Sequence, residues 1–339
     1  MENIEQLSAF YKLRGFIGRL SAGYSLLEKN CHTLLCTGVV VLIPFAVVMS
    51  AAMIWFADCL QRVCILGFPF DSNVGMFSSI GSSIWLPLMI CVVLLLSGIS
   101  IWQSLLYGMF RKYIHLGYIP KMNISAWFEW TKRDIWRYSL YILFISCFWA
   151  LILVVFYMLA SLSAWFWLLL IPIWLYCGVE FALIPYFYMI ERLSLWDSFL
   201  ISFRKGTSAW GATFTILLLT YLIAGVFSII FSLPMGITVL SDYFATIGMI
   251  NGEMVDLPFY YTGIKFLFGV ISVLGILFSF VIVQVSMLFQ FASLVALDKK
   301  KMLAEALAEE ERLQAERARE IAEKEKIASY LDGSAFQPR

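Results

Sequence analysis

The 339-residue chain is 61% hydrophobic and 14% charged, with a formal net charge of +1. Soluble domains are about half apolar and a quarter charged, so this composition excludes an ordinary water-soluble protein. The small net charge also argues against a nucleic-acid partner, which would require a basic surplus gathered on one face. We therefore predict an all-α, polytopic membrane protein.

The N-terminal segment, residues 1–32, mixes polar and apolar side chains and carries Glu2, Glu5 and Glu28. It lacks the basic start and short apolar run of a cleavable signal peptide, so the first membrane span is expected to act as the targeting signal. We predict three regions: a cytoplasmic amphipathic segment over 1–32, a six-span membrane domain over 33–297, and a charged helical tail over 298–339.

Six segments contain about 20 mostly apolar residues, enough to cross about 30 Å of hydrocarbon as helices. Together they form three hairpins. The predicted spans are Thr33–Ala57, Ser83–Phe110, Tyr138–Ala160, Ala164–Ile190, Ala209–Leu233 and Gly263 to about Leu288.

The orientation of the spans follows from the basic residues, which cytoplasmic loops retain. Of the 24 lysines and arginines, all but Arg62 and Lys265 lie on one side of the six-span arrangement. We therefore predict a multi-pass protein of the inner (plasma) membrane with both termini in the cytoplasm.

A segment with apolar residues at helical spacing precedes each of the three hairpins. Such segments are typical of helices that lie in the inner membrane interface, with basic side chains toward anionic lipid headgroups. Tryptophans also cluster at the predicted boundaries, as in an aromatic belt. The residues expected to contact headgroups of membrane lipids or a partner are Arg19, Lys132, Arg133, Arg204 and Lys205.

The tail from Asp298 to Tyr330 is rich in alanine, glutamate, lysine and arginine, which favour helix. Leucine is too sparse for a steady coiled-coil seam, so the composition favours a solvated helix that continues from the last span. We expect a cytoplasmic protein partner to bind this region, 298–330.

Glu180 is the one acidic residue inside a predicted span. A buried charge there would be costly, so Glu180 is expected to be neutral, to face the bundle interior and to bond to the second or sixth span. Gln103, Gln284 and Gln290 lie at comparable depths and complete a predicted intramembrane polar cluster. Two interpretations remain open: a proton or substrate site, or a hydrogen bond that fixes helix packing.

Catalytic signatures are missing from the chain. There is no Walker loop, no GxSxG, no HExxH and no dinucleotide fingerprint. The only histidines, His32 and His115, lie far apart in the sequence, and the cysteines form no CxxC pair. We therefore expect no enzymatic activity, no cofactor and no metal site.

Short motifs beside the first and fifth spans resemble the membrane-domain family associated with glycerophosphodiester phosphodiesterases, together with six-span bacterial proteins of that type. They are Phe16-Ile17-Gly18-Arg19-Leu20 through Glu28-Lys29-Asn30, and Ile184-Pro185-Tyr186-Phe187 with Glu191, Ser194, Ser198 and Ser202 to Gly206. The resemblance implies a fold and a membrane role. It implies no active residues, because the chain has no catalytic phosphodiesterase domain.

These features favour a non-enzymatic scaffold or accessory factor whose tail and interfacial helices recruit partners or anionic lipid. A small transporter or lipid-handling protein that uses Glu180 is the alternative. An intramembrane enzyme is a third hypothesis, which the missing catalytic signatures disfavour.

Overall fold

The computed structural model describes residues 10–66, 80–121, 124–161, 163, 165–252 and 258–334. In these ranges α-helix is the only regular secondary structure, and six helical segments are long and apolar enough to cross a membrane. The predicted all-α polytopic fold with six spans is confirmed.

The helices mostly extend well beyond the predicted spans. They are α1 (Phe16–Leu66), α2 (Ile80–Leu116), α3 (Ile124–Ala160), α4 (Phe166–Phe181), α5 (Ile184–Met189), α6 (Leu195–Ser208), α7 (Trp210–Ile250) and α8 (Tyr261–Ser334). The fourth span consists of α4 and α5 together.

Of the three segments expected to form interfacial helices, only one is a helix separate from its span. The first two are continuous with their spans, as the N-terminal parts of α1 and α3. The third is α6, which starts at Ser194, whose hydroxyl accepts from the backbone N–H of Asp197 at 3.1 Å. It ends at Ala209, whose backbone leaves the helical region (φ −126°, ψ 24°). These two features separate α6 from its neighbours.

The last helix, α8, lies at the centre of the bundle, with its most extensive contacts to α1 and α7. Small residues allow this close approach: a Cβ at Gly269 would overlap Ser50 of α1, and one at Gly275 would overlap Phe231 of α7. At one end of the bundle, α8 continues into the tail. We call this end the tail end. At the opposite end, buried Lys265 pairs with Asp58 of α1 at 2.9 Å and with Asp242 of α7.

The tail is the direct continuation of α8. This helix has 74 residues, which corresponds to about 110 Å at 1.5 Å per residue. Every residue from Lys299 to Arg317 is exposed. The charged C-terminal helix expected from the sequence is therefore present, with no break where the membrane domain meets the tail.

Candidate functional site in the polar core of the bundle

Glu180 lies at the point where the fourth span is interrupted. Pro185 has no N–H to donate to the carbonyl of Phe181, and α4 ends at Phe181. The hydroxyl of Tyr141 donates to that carbonyl at 3.4 Å, and the hydroxyl of Ser202 donates to the carbonyl of Glu180. Side chains of α3 and α6 therefore supply hydrogen bonds that the helix loses at the break.

The Glu180 side chain is closed off from solvent, with 0% of the residue exposed. Its Oε1 accepts from the hydroxyl of Thr207 at 3.3 Å, whereas Oε2 has no hydrogen-bond partner among the described residues. The carboxyl group packs on the backbone of Gly206, where a Cβ would overlap Oε2 and lie 2.7 Å from Cδ. Glycine at position 206 is therefore what lets α6 approach α4 so closely.

The predicted partner of Glu180 was wrong. Its hydrogen bond goes to α6, not to the second or sixth span, and no hydrogen bond between described residues joins it to Gln103, Gln284 or Gln290. Position along a span gives the depth of a residue but not which helix lies opposite. Here α6 lies opposite Glu180, because Gly206 leaves room for the carboxyl group. Glu180 is buried in the bundle, as expected.

Gln284 of α8 is the centre of a second polar group. Its Oε1 accepts from the hydroxyls of Tyr107 at 2.9 Å and Tyr186 at 2.8 Å, so one side chain joins α2, α5 and α8. The predicted cluster contained only acidic and amide side chains, so the two tyrosines were not expected as partners. Each lies inside a predicted span, where a buried hydroxyl needs a hydrogen-bond partner, and this was the signal that could have identified them.

Gln290 and Gln103 have different surroundings from Gln284. Arg19 of α1 donates to the Gln290 Oε1, and the Gln290 Nε2 donates to the hydroxyl of Thr213 on α7 at 2.8 Å. Gln290 therefore joins the three central helices. Gln103 is buried in α2, and its Oε1 has no hydrogen-bond partner among the described residues. The hydrogen bonds of the predicted cluster thus form separate groups.

An ion pair network around Asp134 was not anticipated. Asp134 of α3 is 1% exposed and pairs with Arg111 of α2 and, at 3.2 Å, with Arg192 in the turn between α5 and α6. Arg192 adopts a left-handed backbone conformation (φ 61°). Sequence reasoning counted these arginines only toward orientation. The signal was Asp134 itself, an acid placed between Arg133 and Arg137 in a basic segment.

The basic residues predicted to contact headgroups fall into two sets. Arg19 is bonded to Gln290, and Lys205 is paired with Asp298 at 2.7 Å, so both point to other parts of the protein. Both side chains remain partly exposed, and the predicted contacts of all five residues with headgroups or a partner stay predictions. The three that lie exposed are Lys132, Arg133 and Arg204.

The root of the tail, Asp298 and Lys299, contacts two other parts of the protein. The Lys205–Asp298 pair attaches it to α6, and the Lys299 Nζ lies 4.9 Å from the centre of the Tyr11 ring. Burial, and to a lesser degree the nearby charge of Glu191, raises the pKa of Tyr11 to about 12. Tyr11 is thus a neutral, packed side chain at neutral pH, and the first residues of the tail contact the bundle at two points.

The polar residues of the core supply hydrogen bonds, ion pairs and, at Glu180, a group that can bind a proton. In the part of the chain that the structure describes, no group of three or more His, Cys, Asp or Glu side chains could hold a metal ion. Hydrogen bonding and proton binding are the chemistry this arrangement offers.

Comparison of the chain with models of protein families, with curated proteins and with solved structures found no match. The resemblance to the membrane-domain family therefore stays a prediction, and the function is inferred from sequence and geometry.

Proposed function

We propose that this protein is a non-enzymatic membrane scaffold or accessory factor that holds a cytoplasmic partner on its helical tail. The supporting observation is the continuity of α8 from the centre of the bundle to Ser334. Because α8 packs on α1 and α7 and continues without a break past the Lys205–Asp298 pair, the bundle sets the direction in which the tail begins. The part beyond Asp298 is about 55 Å long at 1.5 Å per residue.

The proposed orientation places the tail end in the cytoplasm, with the protein in the inner (plasma) membrane. The distribution of lysine and arginine supports it. Reporter fusions at Asn251 and Gln337 test it: the first should report outside and the second inside. An inside signal at Asn251 would contradict the six-span arrangement with both termini in the cytoplasm.

Cross-linking in the native membrane tests the scaffold role. The full chain and a variant that lacks residues 302–339 are expressed at equal levels, and the proteins cross-linked to each are compared. We expect the truncated chain to lose a specific set of cross-linked proteins. Glu180→Gln is the control, and it should retain that set because it leaves the tail unchanged. An identical set for the full and truncated chains would reject the proposal.

A transporter or lipid-handling protein that uses Glu180 is the second candidate, supported by a different observation. The Glu180 carboxyl is fully buried at an interrupted helix, and its Oε2 has no hydrogen-bond partner among the described residues. Interrupted helices line the binding sites of many secondary transporters.

Proton flux into reconstituted vesicles, followed with a pH-sensitive dye, separates the two candidates. A proton-coupled transporter should give a flux that Glu180→Gln abolishes. A scaffold should give equal fluxes for both proteins, because its role does not require the carboxyl group to release a proton.

A further inference from the structure

One face of α3 is exposed along most of its length, and towards the C-terminal end of the helix the exposed surface widens to include Leu153, Val155 and Tyr157. The apolar members of this face are Trp136, Leu140, Leu143, Leu151, Val154 and Met158, which are between 40% and 70% exposed. At 3.6 residues per turn they fall within an arc of about 100° on a single side of the helix. We call this face, with Lys132 and Arg133 at its tail-end limit, the α3 stripe.

The basic pair lies at the start of the stripe and within the same arc. Lys132 and Arg133 are exposed, and none of the ion pairs between described residues involves either of them. The adjacent Asp134 is buried and paired with Arg111 and Arg192. Exposed Glu129 lies one turn before the basic pair within the same arc, so two basic groups and one acid give this end of the stripe a net charge of +1 outside the bundle.

The dimensions of the stripe match those of a membrane leaflet. From Trp136 to Cys147 the helix rises about 16 Å, close to half of a hydrocarbon core of about 30 Å. Trp136 stands between the basic pair and the aliphatic residues, where tryptophan is favoured at the boundary between headgroups and chains. The basic pair, the Trp136 ring and the aliphatic side chains thus follow one another along the helix in the same order as the headgroup, the interface and the acyl chains of a phospholipid.

We infer that the α3 stripe is a binding site for an anionic phospholipid in the tail-side leaflet. The phosphate group lies against Lys132 and Arg133, and one acyl chain lies along Leu140 and Leu143. Basic residues near a membrane surface attract anionic lipid, and the aliphatic surface holds the chain. The inference goes beyond the proposed scaffold role and does not depend on it.

The side chains on the stripe favour lipid over a second protein helix. Helices in membranes associate through small residues, and this bundle does so at Gly269 and Gly275. The stripe instead presents mainly leucine, valine and methionine, with Cys147 among them. The small residues Ser146 and Ala150 lie at its edge, where a closely packed helix would make contact, and both are exposed. Ala150 therefore provides a way to test the two possibilities separately.

Quenching of Trp136 by brominated lipids tests the site in the full chain. The protein is reconstituted into phosphatidylcholine bilayers with a minor fraction of acyl-brominated phosphatidylglycerol or acyl-brominated phosphatidylcholine. The Trp136 signal is the tryptophan fluorescence of each protein minus the fluorescence of the same protein with Trp136→Phe. We expect stronger quenching by phosphatidylglycerol. Lys132→Gln with Arg133→Gln should lower this preference by about five-fold for each charge removed.

Two control variants keep the test specific. Arg312→Gln with Arg317→Gln removes the same charge from the exposed tail, about 21 Å or more beyond Asp298 and outside the screening length of about 8 Å at physiological salt. This tail variant should leave the preference for phosphatidylglycerol unchanged. Ala150→Leu, the second control, should also leave it unchanged. Both leaflets contain the same lipids, so the result does not depend on orientation or on the scaffold role.

Three results would overturn the inference. The first is equal quenching of the wild-type Trp136 by the two lipids. The second is a preference that survives Lys132→Gln with Arg133→Gln, or that falls equally in the tail control. The third is a Trp136 shielded from both lipids and uncovered by Ala150→Leu, which would assign the stripe to a second protein helix.

Discussion

The carboxyl group of Glu180 on α4 packs directly on the backbone of Gly206 on α6. This contact attaches the interrupted fourth span to the helix that leads into α7. It also accounts for the lack of a side chain at position 206, because a Cβ would occupy the volume of the carboxyl group. The pair therefore couples the second hairpin to the third.

Gly206→Ala should destabilise the protein. The added methyl group overlaps the Glu180 carboxyl, and overpacking of this kind costs about 1–3 kcal/mol. A lower thermal unfolding midpoint in detergent or nanodiscs checks this. Gly178→Ala on α4 is the matched control, since nothing lies within 4 Å of its Cβ position. Adding Glu180→Ala to Gly206→Ala should restore part of the loss. No rescue would show that the clash is not the cause.

Two substitutions of Glu180 should show whether the stability of the bundle depends on the shape of this side chain or on its charge. Glutamine keeps the size of the side chain and can still accept from Thr207, so Glu180→Gln should unfold near the wild-type temperature. Lysine would place an unpaired cation in the bundle, which costs about 3 kcal/mol on insertion scales. Equal damage by glutamine and lysine would mean that the carboxyl group itself is essential for folding.

The Asp134 network predicts that substitutions of its two arginines destabilise the protein to different extents. Arg111→Gln removes the more buried cation and leaves Asp134 with poorer compensation, so we expect a loss of about 3–5 kcal/mol. Arg192 is 41% exposed at its side chain, and Arg192→Gln should cost much less because water can replace it. Denaturation in matched detergent compares the two, and the reverse order would contradict the network.

Much of the fold followed from apolar length and helix propensity. Six spans were predictable because the bilayer fixes the length of a span, and the charged terminal helix was predictable because alanine, glutamate, lysine and arginine favour helix. The separate interfacial helices were harder to predict. A continuous helix and a broken one have the same apolar spacing, and the break at Ala209 depends on a backbone conformation that the sequence does not signal.

The candidate site was only partly predictable for a related reason. Glu180 and the three glutamines could be identified as costly polar groups inside spans, but their partners depend on how the helices are arranged around α8. Gln284 bonds to Tyr107 and Tyr186, and Glu180 bonds to Thr207. Spacing along one chain contains no information on those neighbours.

Removal of residues 302–339 should leave the bundle intact. The contacts that hold the root of the tail, through Asp298 and Lys299, precede the deletion, and every residue of 302–317 is exposed. We therefore expect unchanged membrane insertion and nearly the same thermal unfolding midpoint. Failure of the truncated chain to accumulate would mean that the tail packs on the bundle.

The central claim is that the bundle positions a partner through an unbroken α8, and Lys301→Pro tests it most directly. Proline in a helix interior costs about 3 kcal/mol, and at position 301 it interrupts the helical turn from Leu297 to Lys301, where the tail begins. Lys301→Ala removes the same charge and keeps the helix. Cross-linking in native membranes should show that Lys301→Pro loses the tail-dependent complexes while Lys301→Ala keeps them. Equal yields of these complexes from both variants would contradict the claim.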